Sequence, residues 1–156
     1  MKKILTTLMA TLALFTLVAC SKGNDEKFPT DLNKLMDAVY KGLDDEVPST
    51  RREKVTADNV EYYLGLSECN FEEALASEPD MSSIAHSVVL VKAKSASDID
   101  ALKKEISEKL NPNKWVCVGV AEIKMASHDN ILLVVMDDEV GDKMIDIFNN
   151  LSKLVF

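Results

Sequence analysis

Histidine is nearly absent from this chain of 156 residues, with only His86 and His128. There is one tryptophan and there are five glycines, none set in a phosphate-cradling pattern. No G-x-S-x-G, H-E-x-x-H, Walker loop or EF-hand spacing occurs, so no motif-borne nucleophile, zinc or calcium chemistry is predicted. Positive charge is also short: 18 Lys and Arg stand against 26 Asp and Glu, a net charge of −8. That balance excludes a phosphate-neutralising nucleic-acid surface. It also excludes a domain that lies flat on an anionic leaflet. Three cysteines occur and none forms a C-x-x-C pair, which argues against a redox motif.

What the chain does have begins at its N-terminus. Lys2 and Lys3 precede an uncharged stretch from Ile4 to Ala19, rich in Leu and too short to span a bilayer, which takes about 20 residues. The stretch closes on Leu17-Val18-Ala19-Cys20 and gives way to Ser21-Lys22-Gly23. This ending resembles the lipobox of bacterial lipoproteins. The resemblance implies cleavage after Ala19 and thioether attachment of a diacylglycerol to Cys20. Two acyl chains anchor stably where one does not, so the expected location is the outward face of the cell membrane, anchored rather than spanning. Residues 1–19 are thus expected to be a signal peptide, 20–30 the lipidated cysteine and a flexible tether, and 31–156 a single domain. Removing residues 1–19 leaves 137, with a net charge of −10 once Lys2 and Lys3 are lost. A flexible tether of ten residues reaches roughly 17 Å. Cys69 and Cys117 remain. They could pair in an oxidising compartment, but Cys117 sits in an apolar, strand-like pattern, which favours two free thiols.

Along the domain, Asp31 can cap a helix whose stripe is Leu32, Leu35, Met36, Val39 and Leu43. The acidic run Asp44-Asp45-Glu46 and then Pro48 end it. Residues 49–57 read as loop, and Val60–Leu66 stays unassigned. Phe71–Ser77 is helix by propensity or an edge strand by context. His86–Lys94 is strongly β. Ser97–Leu110 is a helix with Ile99, Leu102 and Ile106 on one side, ended by Asn111-Pro112. Trp115–Met125 alternates like a long strand, pairing through a turn at Ser127–Asn130 with Ile131–Met136. Val140–Leu154 is the last helix. The expected class is α+β: an antiparallel sheet of three or four strands with helices packed on one face. VVLVKAKSASDIDALKKEI and LLVVMDDEVGDKMIDIFNNL echo one another, which suggests two strand-strand-helix units.

These segments, DLNKLMDAVYKGL, YYLGL, HSVVLVKAKSASDIDALKKEI, NILLVVMDD and VGDKMIDIFNNL, together with the lipobox, resemble small Gram-positive lipoproteins carrying an uncharacterised domain. Where that family has an aromatic, Pro-containing second hairpin, this chain has Trp115-Val116-Cys117. The resemblance implies no activity.

Two function classes follow. One is a binding or assembly module at the cell surface with an envelope protein or ligand as partner. The alternative is a small extracytoplasmic hydrolase using dispersed carboxylates. A concave pocket with converging Asp and Glu would point to the enzyme; an exposed apolar patch beside an unpaired strand edge would point to a partner. No catalytic residue, metal ligand or cofactor is assigned. His128 beside Asp129 reads as a turn, and His86 as a polar residue at a strand edge. Asp137, Asp138, Glu139 and Asp142 read as complements to a helix N-terminus.

Overall fold

The computed structural model describes residues 28–43 and 46–153. The leader, Ala19, Cys20 and the acids Asp44 and Asp45 lie outside the described residues.

Helix α1 (Leu32–Tyr40) is capped as its sequence demands: the Asp31 carboxylate accepts from the Lys34 N–H at 2.9 Å, and Leu32, Leu35, Met36 and Val39 are buried. Strand β1 (Arg51–Lys54) is followed by the short helix α2 (Val60–Leu64), β2 (Glu73–Glu78) and β3 (Ser87–Lys92). A 3-10 turn, Ala96–Asp98, leads into α3 (Ile99–Lys109), and the chain closes with β4 (Lys124–His128), β5 (Ile131–Met136) and α4 (Gly141–Lys153). Ser95 accepts from the Ser97 N–H at the head of that turn. All neighbouring strands are antiparallel, and the five-stranded order is β1-β2-β3-β5-β4. The class is α+β, with more strands than expected. The ambiguous Phe71–Ser77 segment supplies β2, and the extra strand is β1, inside residues 49–57 that read as loop.

The helices do not share one face. Val89 and Val91 of β3 and Leu132, Val134 and Met136 of β5 pack with Tyr63, Leu64, Ile99, Leu102 and Ile106, so α2 and α3 cover this side. Val88, Leu90, Leu133 and Val135 point the opposite way into Leu35, Met36, Val39, Met144 and Phe148, the faces of α1 and α4. The single covered face is therefore corrected to two. The strand-strand-helix order does recur as β2-β3-α3 and β4-β5-α4. Because α3 and α4 lie on opposite faces, the echo is one of order and not of spatial repetition.

Two further expectations change. Residues 110–123 form no strand. Val120 N–H returns to the Pro112 carbonyl at 3.0 Å, and Cys117 has φ +62°, so the segment loops over the α2/α3 side and drops Trp115 and Val120 into that core. Apolar alternation arose from a loop anchored at spaced points. Phe28, placed by the sequence in the tether, is buried against His128 and Phe148, with ring centroids 4.5 and 5.4 Å away.

Register fixes which residues share an end of the sheet. Ser87 opposes Met136 and Arg51 opposes Glu78 at one end; Glu73–Lys92–Ile131–His128 runs across the other. Phe28 thus sits at the His128 end. The polar groups described next lie at the Glu78 end.

Candidate functional site

The first cluster is a direct product of register. One step beyond the Ser87–Met136 pair stand His86 and Asp137, and His86 Nδ1 lies 2.7 Å from Asp137 Oδ2. Tyr40, from the end of α1, places its hydroxyl 2.7 Å from His86 Nε2. Asp137 Oδ1 accepts from the N–H groups of Glu139 and Val140, both at 2.7 Å, at the entry to α4. Burial alone would raise the Asp137 carboxyl. The hydrogen bonds from His86, Val140 and Glu139 outweigh it and hold the group below the usual carboxylate range. Burial pushes the Tyr40 phenol up to about 12, against the opposing hydrogen bonds of Ser77 and Thr50.

Each member of the network meets a partner within it, and burial raises the Tyr40 phenol rather than lowering it. His86 is fully buried, not a polar residue at a strand edge. With its partners satisfied, the network ties α1, β3 and α4 together as a polar lock.

The second cluster is open to solvent. Helix α2 ends at Gly65, whose φ is +70° and where a Cβ would stand 2.5 Å from the Leu110 backbone nitrogen; only glycine fits this close approach. The turn sets Tyr62 and Tyr63 beside the Glu78 end of β2. Tyr62 donates to Glu78 Oε2 and Tyr63 to Glu53 Oε2, each at 3.0 Å. Asn59 donates to the other Glu53 oxygen, also at 3.0 Å. Lys114, on the loop after α3, pairs its buried ammonium with Glu78 Oε1 and reaches Ser87 Oγ at 3.1 Å. Burial lowers the Lys114 pKa and the Glu78 charge opposes that shift. Burial and the neighbouring Glu78 push the Tyr62 phenol up to about 12; burial and its bond to Glu53 raise Tyr63 further.

Between these groups opens a cleft of about 350 Å³ walled by Glu53, Tyr62, Tyr63, Glu78 and Trp115, with Arg51, Asp58, Asn59, Pro79, Asp80 and Ser82 completing its lining. Among the described residues that line it there is no histidine or cysteine. Its acids come from β1 (Glu53), the β1–α2 connection (Asp58), the end of β2 (Glu78) and the β2–β3 connection (Asp80). No short-range pattern marks the set; the one local signal was the unassigned Tyr62-Tyr63 pair ahead of Gly65.

The other sequence candidates lie elsewhere. Cys69 is half-buried and Cys117 exposed, both free thiols, so Cys117 is not the buried strand residue its pattern suggested. His128 packs on Phe28, with its Nε2 3.6 Å from Asp129. Asp138 accepts from the Ala121 N–H, and Asp142 pairs with Lys124 at 2.9 Å. Glu46 pairs with Lys143 at 2.7 Å. Among the described residues, no group of three or more His, Cys, Asp or Glu is placed to hold a metal ion, and no helix is long and apolar enough to cross a membrane.

Residues 45–114 match the model of a family described as a domain of unknown function, DUF4358. The chain is similar to an uncharacterised domain family. The match spans β1 through α3 and includes Glu53, Tyr62, Tyr63, Glu78, His86 and Lys114, while Tyr40, Trp115 and Asp137 fall outside it. No curated protein and no solved structure matches the chain.

Proposed function

We propose that this chain is a lipid-anchored binding module held at the outward face of the cell membrane, with the cleft beside Tyr62 as its ligand site. The anchor rests on the leader and the Leu17-Val18-Ala19-Cys20 ending. Phe28 lies eight positions beyond Cys20, so the chain between them spans at most about 28 Å. The domain is then held close to the bilayer.

The observation that carries the binding reading is the Tyr62–Glu78–Lys114 arrangement, an aromatic and ionic wall fixed in advance by hydrogen bonds. Recognition needs fixed rings, donors and acceptors in a concave site. Acid–base catalysis needs a carboxyl within reach of a substrate proton. Here Glu53 and Glu78 are occupied by tyrosine, asparagine and lysine.

One observation favours the alternative, a small hydrolase: Glu53, Asp58, Glu78 and Asp80 all line the same cleft. Glycoside and peptide panels test it. Turnover abolished by both Glu53→Gln and Glu78→Gln would establish the enzyme.

The binding reading is tested by affinity capture from membranes, using the intact protein and a Tyr62→Leu/Glu53→Gln variant side by side. A companion retained by the parent and lost by the variant is the expected result. Nothing above background with the parent, or a companion captured equally by both, counts against the cleft as the binding site.

A further inference from the structure

The Lys114 ammonium shows what kind of group this corner of the fold accommodates. It stands 4.4 Å from the centroid of the Tyr62 ring, 5.1 Å from that of Tyr63 and 5.2 Å from that of Trp115, and it faces Glu78. Aromatic faces and a carboxylate around a cation are the arrangement by which organic ammonium groups are recognised, because the ring quadrupole presents its negative face to the charge. The same three rings and Glu78 wall the cleft, whereas Lys114 lines the hollow on the other side of Tyr62. A ligand in the cleft therefore meets the residues that already hold a cation.

Charge points the same way. The cleft is lined by four acids, Glu53, Asp58, Glu78 and Asp80, and one base, Arg51. Adding Lys114 still leaves two negative charges uncompensated. Glu78 is nine-tenths buried, its Oε1 paired with the Lys114 ammonium and its Oε2 accepting from the Tyr62 hydroxyl. An anion would be repelled here, and a neutral sugar would leave the excess charge unanswered. Two exposed apolar residues directly follow the lining residues Asp80 and Trp115 in the chain. Met81 and Val116 are 62% and 61% exposed, and their loops are joined by the Val116 N–H donating to the Ser82 carbonyl at 2.9 Å.

We propose that the cleft binds an organic ammonium group carried on an apolar body, the charge set against Tyr62, Trp115, Glu53 and Glu78 and the carbon skeleton against Met81 and Val116. This names the ligand class for the binding module proposed above and rests on that reading. Lys114 stays in place as part of the wall.

Trp115 is the chain's sole tryptophan, so its emission reports on the cleft directly. The purified chain is titrated with n-butylammonium, with 1-butanol as the neutral isostere, and with a neutral oligosaccharide. The expected result is a saturable change with n-butylammonium that weakens as salt is raised. Butanol should bind about tenfold more weakly, and Glu53→Gln and Tyr62→Leu should each weaken the ammonium about tenfold. Circular dichroism checks that both variants stay folded. Two results overturn the ammonium site: no saturable response to n-butylammonium, or an equal response to butanol. A response to the oligosaccharide alone also overturns it and leaves the binding module standing.

Discussion

His86 Nδ1 and Asp137 Oδ2, 51 positions apart in the chain, lie 2.7 Å apart in the interior of the fold. The antiparallel pairing of β3 with β5 delivers both residues to one point, and Tyr40 closes the network from α1. Removing the imidazole takes one hydrogen-bond partner from a buried carboxylate and one from a buried phenol. His86→Ala should therefore cost about 2–4 kcal/mol of stability, read from denaturant midpoints at unchanged slope.

The same lock has a pH signature. Asp137 is held below the usual carboxylate range, so the folded state binds the proton less readily than the unfolded chain. Its contribution is complete above the unfolded carboxyl's pKa of about 4 and is lost as pH falls through the folded value. The Tm difference between the parent and Asp137→Asn should narrow as pH is lowered below about 4. Parallel curves would assign the acid sensitivity to other groups.

At the other end of the scale, all three tyrosines of the chain, Tyr40, Tyr62 and Tyr63, are raised, first of all by burial. A tyrosine whose folded pKa exceeds its unfolded value of about 10 stabilises the fold below that value and ceases to do so as pH rises through the folded one. Tyrosinate absorbance should show no native titration step near pH 10. Ionisation should begin near 12 or coincide with alkaline unfolding. A normal step would contradict the burial of Tyr40 or Tyr63, whose rings are packed, while Tyr62 is 43% exposed.

The Lys114–Glu78 pair makes a prediction of non-additivity. Both side chains are more than nine-tenths buried. Lys114→Met alone strands the Glu78 charge and should cost about 3–5 kcal/mol, while Lys114→Met with Glu78→Gln should recover most of that loss. Additive losses in a double-mutant cycle would mean that solvent already screens the pair.

Local patterning made much of the scaffold legible. The Asp31 cap, the Leu32–Val39 stripe and the Ile99–Ile106 face appear where spacing puts them. The hairpin before Ile131–Met136 is tighter than the expected turn at Ser127–Asn130, with Ser127 and His128 inside the strand. Ile131-Leu132-Leu133-Val134-Val135-Met136 also carried the clue to helices on both faces: six apolar residues in a row are buried on both sides of a sheet, and a half-exposed strand would have alternated. Two things misled. The segment after Pro112 alternates because it is pinned at Trp115 and Val120, not because it is extended. His86 gives no sign of burial because its partners, Tyr40 and Asp137, are 46 and 51 positions away. The cleft was illegible for the same reason, since its walls meet only through sheet register and the close approach at Gly65.

We propose that the cleft works outside the cell membrane, held there through Cys20. Mass spectrometry of the protein extracted from membranes tests this most directly. A mature N-terminal peptide beginning at Cys20 and carrying a diacylglyceryl group is the predicted result. A peptide that retains Ala19, or one that begins at an unmodified Cys20, would contradict it.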